Sequence, residues 1–317
     1  MIKNDDLLYE IAKLYYLDNL NQSDISKMFN LSRAKVSRLL AKARERNIVT
    51  ISLNRRSDDD VEFLAQEIKD RFQLQNVLVV PAPSYDENEN LKATTEAAAP
   101  YFTSLIRDGD QIGISWGYTL LEIAKNVPRS SFPSTSIVQI AGNLDNADNT
   151  NYAYEIIRQF GQRLEVSSQI TLPCPVIVES PIIVDLLSHD SKISSVLALI
   201  NEIDVAFINI GLVGDDNCLY HTGYLSSEDL ETLKAKGSVG AVCSRFIDIN
   251  GNIVDPNYDE RTISVTLPVL KKARISCAAI CSEKKIPPLI GAIHAGAVNT
   301  LAIDSNTAKA LLQYAGS

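Results

Sequence analysis

Residues 113–119 form a glycine-rich loop, Gly-Ile-Ser-Trp-Gly-Tyr-Thr, that carries two hydroxyl side chains, Ser115 and Thr119. Glycine lets backbone N–H groups approach an anion closely, and a helix that begins here would add the positive end of its dipole. The loop therefore favours binding of a phosphate or a similar anion. It also matches Gly-x-Ser-x-Gly, the pattern around the nucleophilic serine of many hydrolases, so a hydrolase is an open alternative.

A second group of chemistry-bearing side chains is basic and follows a helical spacing. Apolar residues recur on one face of this segment, at Val36, Leu39, Leu40 and Ala43. The opposite face would present Arg33, Ser37 and Arg38, which can read base edges because a guanidinium fork bonds guanine O6 and N7 together. Lys35 and Lys42 are better suited to backbone phosphates. A structural bundle with a solvated basic face is the alternative.

The charge distribution separates these two groups. Residues 1–56 contain eleven Lys and Arg against six Asp and Glu, a net charge of +5. The remaining residues carry 19 basic and 33 acidic side chains, a net charge of −14. A basic head on an acidic body indicates that the head alone binds a polyanion.

The elements around the basic segment are typical of a helix-turn-helix. Helices are predicted over 5–17, 22–29 and 33–46. In the second of these helices, Met28 and Phe29 are expected to face inward. Asn30 accepts the left-handed backbone of a tight turn, and Ser32 is a good N-cap for the third helix. We predict a DNA-binding domain at 1–53 that ends in a strand over 48–53, then a polar linker at 54–60.

From residue 61 to 317 apolar runs alternate with helical patterns, which predicts an α/β domain with a largely parallel sheet covered on both faces. Strands are predicted at 77–81, 111–115, 137–141, 205–210, 263–267, 275–281 and 300–304. Helices are predicted at 61–72, 91–107, 118–127, 152–164, 191–201, 226–236, 287–295 and 305–314. Ligands bind at the carboxyl ends of such strands, where small or polar residues gather: Gly142, Asn143, Asn209, Gly211, Ser282, Lys284 and Lys285.

The sequence offers little support for a catalytic site of either enzyme class considered. A hydrolase needs a histidine and an acid, and the chain has only His189, His221 and His294, to which no role is assigned. A sugar-phosphate isomerase with an appended DNA-binding head is the other alternative, with Glu155 and Asp145 as its candidate carboxylates. We predict no catalytic residue, no metal and no cofactor.

Cysteine usage and hydropathy indicate a cytoplasmic protein. The five cysteines contain no Cys-x-x-Cys pair and are odd in number, so neither a disulfide framework nor a zinc knuckle is expected. The first residues are charged, and no apolar run approaches the roughly 18 residues of a membrane span. We therefore expect no membrane partner.

Taken together, these segments resemble the SorC family of bacterial sugar-responsive regulators, which is sometimes grouped as DeoR-like. The resemblance lies in the head around 14–26 and 31–40, in the stretch Asp-Gly-Asp-Gln-Ile-Gly-Ile-Ser-Trp-Gly at 108–117, and in 239–246, 259–263 and 299–308. It implies an effector domain similar to the sugar-phosphate isomerase and deaminase fold, which binds a phosphorylated sugar without turning it over.

The resemblance also implies partners and site residues. The partners are operator DNA, contacted by Gln22 and Ser32 as well as the basic helix, a phosphorylated sugar, and further copies of the chain in a dimer or tetramer. Ser115, Gly117, Tyr118 and Thr119 would contact the phosphate side of the ligand. Arg261 and Lys285 match charged positions near the same pocket, and Gly142 and Asn143 form its wall. The chain departs from the family's glycine pairs at Asn143 and Ser282, and from its usual aspartate at Ala241.

Overall fold

The structure is a computed structural model that describes residues 4–18, 20–46, 48–49, 61–84, 86–144, 152–215 and 217–314. The chain divides into two compact units, Met1–Asp58 and Asp59–Ser317. No helix within the described ranges is long and apolar enough to cross a membrane. The predicted linker at 54–60 lies outside the described residues, so the predicted domain boundaries stay predictions.

The described part of the first unit contains the three predicted helices, α1 (Asn4–Tyr16), α2 (Gln22–Met28) and α3 (Arg33–Glu45). Their apolar faces meet in one small core that contains Leu8, Ile11, Ala12, Ile25, Val36, Leu40 and Ala43. Each fully buried aliphatic side chain contributes about 1.5–3 kcal/mol, so packing rather than helix propensity holds these short helices.

The turn between α2 and α3 has the predicted chemistry. Asn30 adopts a left-handed φ of 50°, and the Ser32 side chain accepts a hydrogen bond from the Lys35 N–H at 3.2 Å. The prediction that Met28 faces inward is wrong, because the residue is the last of α2 and its side chain is 63% exposed. Of the strand predicted at 48–53, only 48 and 49 are described, and they form a bend.

The described residues of the second unit build a seven-stranded parallel sheet, whose strands in spatial order are β1 (Asn76–Val80), β10 (Thr300–Asp304), β9 (Ile275–Ile280), β5 (Val205–Phe207), β2 (Gln111–Ile114), β3 (Ser136–Gln139) and β4 (Ser168–Ile170). The chain runs from β2 to β3 and β4 on one side, and from β5 to β9 and β10 on the other. The order therefore reverses between β2 and β5, which is where open α/β sheets bind ligands.

Helices cover both faces of this sheet, and alternate residues of one strand enter different cores. In β9, Ala278 and Ile280 pack on one face, whereas Cys277 and Ala279 pack on the other. This confirms the predicted α/β class with a mostly parallel sheet. The helices are α4 (Val61–Phe72), α5 (Glu87–Thr103), α6 (Tyr118–Asn126), α7 (Tyr152–Leu164), α8 (Pro181–Ser188), α9 (Ser191–Ile200), α10 (Cys218–His221), α11 (Ser227–Ala235), α12 (Pro256–Glu260), α13 (Leu267–Lys272), α14 (Ile286–His294) and α15 (Ser305–Tyr314), with a 3₁₀ turn at Glu283–Lys285.

A small antiparallel sheet, which the sequence did not predict, joins β6 (Ile210–Leu212), β7 (Gly240–Val242) and β8 (Arg245–Ile247). The apolar run predicted as one strand at 205–210 is therefore two. The chain leaves the parallel sheet after β5, and β6 begins three residues later against β7.

The strand predicted at 263–267 is wrong. These residues form only an isolated bridge at Ser264, and α13 begins at Leu267. The backbone groups of this segment bond to several separate partners: the Val265 N–H donates to the Ile140 carbonyl at 2.7 Å, and the Val265 and Ser264 carbonyls accept from the buried Arg245 guanidinium at 2.8 and 2.7 Å. Groups divided in this way are satisfied without a continuous strand ladder.

Candidate functional site

A cavity of about 430 Å³ opens at the carboxyl ends of β2, β5 and β9. It lies at the reversal of strand order, as the arrangement of the sheet predicts. Three of the predicted site residues on the glycine-rich loop and the predicted lysine line it together. Its wall contains Glu87, Asn88, Leu91, Trp116, Gly117, Tyr118, Thr119, Leu144, Ala153, Asn209, Ile210, Gly211, Leu212, Asn217, Cys218, Thr222, Cys281, Ser282 and Lys285.

Gly117 shapes the loop because no other residue fits there. Its φ of 144° is one that side chains rarely adopt, and a Cβ atom would stand 2.9 Å from the Asn209 side chain. Gly117 is also the N-cap of α6 and offers no side chain to the first turn. The backbone N–H groups of Tyr118 and Thr119 donate to no described residue, so the positive end of the helix faces the cavity.

Lys285 supplies a full positive charge to the same cavity. It follows β9 in the 3₁₀ turn, is half-buried, and forms no ion pair with any residue that the structure describes. Burial lowers its pKa below the ordinary value, while the nearby Cys281, Cys218 and Glu87 act in the opposite direction. A partly desolvated ammonium that forms no direct ion pair can bind an anion.

Ser115 is not on the cavity wall. It lies at the end of β2, 2% exposed, and lines a separate void of about 20 Å³. Its side chain hydrogen-bonds to the Cys243 thiol, whose pKa burial raises to about 11. A neutral thiol cannot serve as a base for Ser115, and no described histidine hydrogen-bonds to this serine. The geometry therefore gives the hydrolase alternative no support.

Gly142 and Asn143 lie behind the cavity wall. The Gly142 carbonyl accepts a hydrogen bond from the indole N–H of Trp116 at 2.8 Å and so orients that ring. The Asn143 amide donates to the Leu172 carbonyl at 3.2 Å and accepts from the Gln139 side chain at 2.9 Å. Gly142 thus supports the wall through Trp116, and neither residue lines the cavity.

Arg261 lies at a different place, a more open cleft of about 680 Å³. Its guanidinium lies 5.1 Å from the centre of the Tyr258 ring, and its Nε–H donates to the Asn257 carbonyl at 3.4 Å. The structure therefore separates Arg261 from Lys285, although Thr222 lines both spaces.

The carboxylates considered for an isomerase are not set up for proton transfer. Glu155 is paired with Arg158 through contacts of 2.7 and 2.8 Å. Hydrogen bonds from Arg158 and then Gln159 lower the pKa of Glu155 to about 2. The carboxylate therefore stays ionised and bonded to these two side chains. A general base near neutral pH needs a pKa near 7. Asp145 lies outside the described residues.

The cavity residues that sequence reasoning missed lie mainly between residues 210 and 222, and two more lie in the first turn of α5. This helix spans Glu87–Thr103, whereas the prediction began four residues later. Asp86 caps it by accepting hydrogen bonds from the N–H groups of Asn88 and Glu89. An aspartate three residues before a glutamate is a recognised start signal, and it would have placed Glu87 and Asn88 on the helix.

The predicted DNA-binding residues lie together on the other unit. Arg33, Lys35 and Arg38 project into solvent from α3 and form no ion pair with a described residue. Ser37 is exposed on the same side, and Lys42 is half-buried one turn further on. Gln22 begins α2, and Ser32 caps α3. A helix with exposed basic side chains and a ligand cavity on the same chain are the two parts of a ligand-responsive transcriptional regulator.

Comparisons with known proteins agree with this class. The model of the sugar-binding domain family, Sugar-bind, matches residues 60–313. The deoxyribonucleoside regulator of Bacillus subtilis is 30% identical over 98% of this chain and 98% of its own length. The sorbitol operon regulator of Klebsiella pneumoniae is 31% identical over 99% of this chain and 100% of its own.

A solved structure extends the match to three dimensions. The crystal structure of the full-length sorbitol operon regulator SorC from Klebsiella pneumoniae has a TM-score of 0.73 and 29% identity, and the match covers 96% of this chain and 98% of that one. The chain belongs to the sugar-binding domain family, among the SorC or DeoR-like bacterial transcriptional regulators. The resemblance seen in the sequence is confirmed.

Proposed function

We propose that the protein is a repressor of a carbohydrate-utilisation operon, and that a phosphorylated sugar bound in the cavity controls its hold on operator DNA. It acts in the cytoplasm as a homo-oligomer, a dimer or a tetramer. It binds the sugar without transforming it, and none of the described histidines lines the cavity.

The observation that carries this proposal is the pairing of Lys285 with the start of α6 around one cavity. The ammonium forms no direct ion pair with a described residue, and the N–H groups of Tyr118 and Thr119 lack described acceptors. A phosphate would satisfy both at once, since it offers several strong acceptor oxygens and a charge near −2. An uncharged sugar would leave the ammonium unpaired in a partly dry site.

The rest of the wall suits the sugar itself. Asn88 and Asn209 present amides that bond to no described residue, and the Glu87 carboxylate accepts a hydrogen bond from Ser282 at 3.2 Å. Amide groups can both donate to and accept from sugar hydroxyls, and a carboxylate accepts hydrogen bonds from them. The apolar faces of Leu91 and Trp116 would pack against the carbon side of the ring.

The test is isothermal titration calorimetry of the full chain with pairs of sugars, each with and without its phosphate. At least one phosphorylated sugar is expected to bind about 10-fold or more tightly than its unphosphorylated partner, since hydrogen bonds to charged groups contribute about 1.5–3 kcal/mol. Equal affinity within every pair of binders, or no binding across hexose and pentose phosphates, would refute the phosphate assignment.

The repressor assignment needs a separate measurement. Operator fragments selected from random DNA by the full chain would be placed in a promoter and transcribed in vitro. Transcription should be low with the protein alone and restored by the sugar phosphate that binds. Transcription that rises when the protein is added would show an activator instead.

A further inference from the structure

Asn209 lies between the two halves of the proposed phosphate site. The glycine-rich loop follows β2 and Lys285 follows β9, and the strand between these two is β5, which ends two residues before Asn209. Neighbouring strands are about 4.8 Å apart, so the loop and the lysine are separated by two such spacings, roughly 10 Å. Asn209 lines the same cavity as both, and it therefore places a polar side chain between them.

The amide of Asn209 lies directly against the loop. A Cβ atom on Gly117 would stand 2.9 Å from the Nδ2 atom of this amide and 3.2 Å from its Oδ1 atom, so only a glycine leaves room for it. Gly117 is also the N-cap of α6, and the N–H groups of Tyr118 and Thr119 follow it directly. An anion that these N–H groups bind is therefore within reach of the Asn209 amide.

The backbone around Asn209 is held on three sides. The Ile208 N–H donates to the Cys277 carbonyl of β9 at 3.0 Å, and the Phe207 carbonyl accepts from the residue that follows β2, also at 3.0 Å. The Asn209 carbonyl accepts from the Cys243 N–H at 3.2 Å. The side chain therefore projects from a fixed point, and a preorganised group binds a ligand more tightly than one that must first be ordered.

The side-chain amide itself has no partner on the described part of the chain. Asn209 is half-buried, and its amide forms no hydrogen bond with any described residue. A half-buried amide without a hydrogen bond is unfavourable, and a ligand that bonds to it removes this cost. An amide offers two N–H donors and a carbonyl acceptor, so the donors suit a phosphate and the carbonyl suits a sugar hydroxyl.

We propose that Asn209 binds the phosphate of the ligand as well as its sugar, and that it determines the preference of the cavity for the phosphorylated form. Its N–H groups donate to the phosphate between the start of α6 and the Lys285 ammonium, and its carbonyl accepts from a neighbouring hydroxyl. This inference rests on the proposed function, because it assigns a further contact to the same phosphate. A negative charge at this one position should then be enough to remove the preference for phosphate.

The test is Asn209→Asp in the full chain, because aspartate keeps the shape of the side chain and its acceptor but replaces the N–H donors by a charged oxygen. The probes are hexoses and pentoses, each with and without its phosphate, measured by calorimetry. Affinity for a sugar phosphate that binds wild type should fall about 100-fold or more, since a donor is lost and like charges face each other. Affinity for the free sugar should change less than about 3-fold, because the acceptor remains.

Asn88→Asp is the matched control. Asn88 lines the same cavity from α5, and its amide likewise has no described partner, so the same change of charge is made away from the loop. It should lower the affinity for a sugar phosphate less than about 5-fold, because a charge further from the phosphate repels it less. Trp116 is the only tryptophan of the chain and lines the cavity, so its fluorescence without ligand should match wild type in both variants.

Asn209→Ala is the second variant, for use if the aspartate lowers the thermal unfolding midpoint. It removes the donors without adding a charge and should lower the affinity for a sugar phosphate about 10-fold, and the affinity for the free sugar by less, since bonds to charged groups are the stronger ones.

The outcomes separate this inference from the proposed function. If wild type shows no preference for phosphorylated sugars, the proposed function fails and this inference fails with it. If wild type shows the preference and Asn209→Asp keeps it to within about 3-fold, only the assignment of Asn209 is overturned. An equal loss of affinity for a sugar and its phosphate would place the amide on the sugar alone, and it would overturn the assignment as well.

Discussion

In the N-terminal unit the residues expected at DNA lie mainly on α3 between 33 and 42, whereas the ligand cavity draws on segments from residue 87 to residue 285. The predicted DNA-binding side chains lie on the outer face of one helix, α3, whose inner face packs in the core through Val36 and Leu40. The cavity instead forms where strand ends and helix starts converge. Substitutions on α3 should therefore act locally and additively, whereas the cavity should depend on backbone shape at single positions.

The largest effect is expected for Gly117→Val, which tests whether the cavity depends on backbone shape at a single position. A valine there must adopt a φ of 144° and meet the Asn209 side chain, so the loop and the start of α6 must move. Sugar-phosphate affinity should fall about 100-fold or more, while operator binding without ligand stays unchanged. Calorimetry and electrophoretic mobility shift measure the two. Ligand affinity within a few-fold of wild type would show that the loop does not hold the ligand.

Lys285→Met removes the charge while keeping most of the side chain. Affinity for a sugar phosphate should fall roughly 10- to 100-fold, and affinity for the free sugar should change little. Lys284→Met, at an exposed neighbour, is the control and should match wild type. Equal losses for the sugar and its phosphate would assign Lys285 to the sugar ring instead.

The pH dependence of sugar-phosphate binding tests whether Lys285 provides the positive charge. Burial lowers its pKa, and a bound phosphate favours the protonated form. Affinity should therefore be highest below the lowered pKa and should decline as the pH rises through it. Because the second ionisation of a phosphate is complete well above pH 6, titrations from pH 7 upward isolate the lysine. The decline should be absent in Lys285→Met.

On the head, Arg38→Ala should weaken specific operator binding by about 1–3 kcal/mol and relax the preference at one base position. Lys42→Ala should weaken binding to all sequences alike, because a phosphate contact carries no sequence information. Competition binding against a library of operator variants distinguishes the two patterns. Ligand binding is the internal control and should be unaffected. Unchanged mobility shifts for both variants would remove α3 from the interface.

The smallest effect is expected for Ser115→Ala. Because Ser115 bonds to the Cys243 thiol and lies off the cavity wall, the substitution should cost about 0.5–1.5 kcal/mol of unfolding free energy and change ligand affinity less than about 3-fold. Chemical denaturation and calorimetry report these quantities. A fluorophosphonate should leave Ser115 unlabelled, and labelling would restore the hydrolase alternative.

Local patterns were sufficient where a feature depends on neighbours in the chain. The buried face of α3, its Ser32 cap and the left-handed Asn30 each follow from a few adjacent residues. Strands β1, β9 and β10 were predicted from apolar runs bounded by turns. The three-residue strands β4, β7 and β8 were missed, because so short a run has no readable period and forms only against a partner strand.

The sequence by itself determined the helix-turn-helix, the alternation of strands and helices, and the glycine-rich turn between β2 and α6, because periodicity, capping and glycine chemistry are local. Only the tertiary structure decided which polar residues share a cavity. Lys285 and Gly117 line the same cavity because β9 and β2 both flank β5. Ser115, only two residues before Gly117, lines a different void. A side chain's neighbours across a sheet depend on strand order and pleat direction, and neither is set by the residues beside it in the chain.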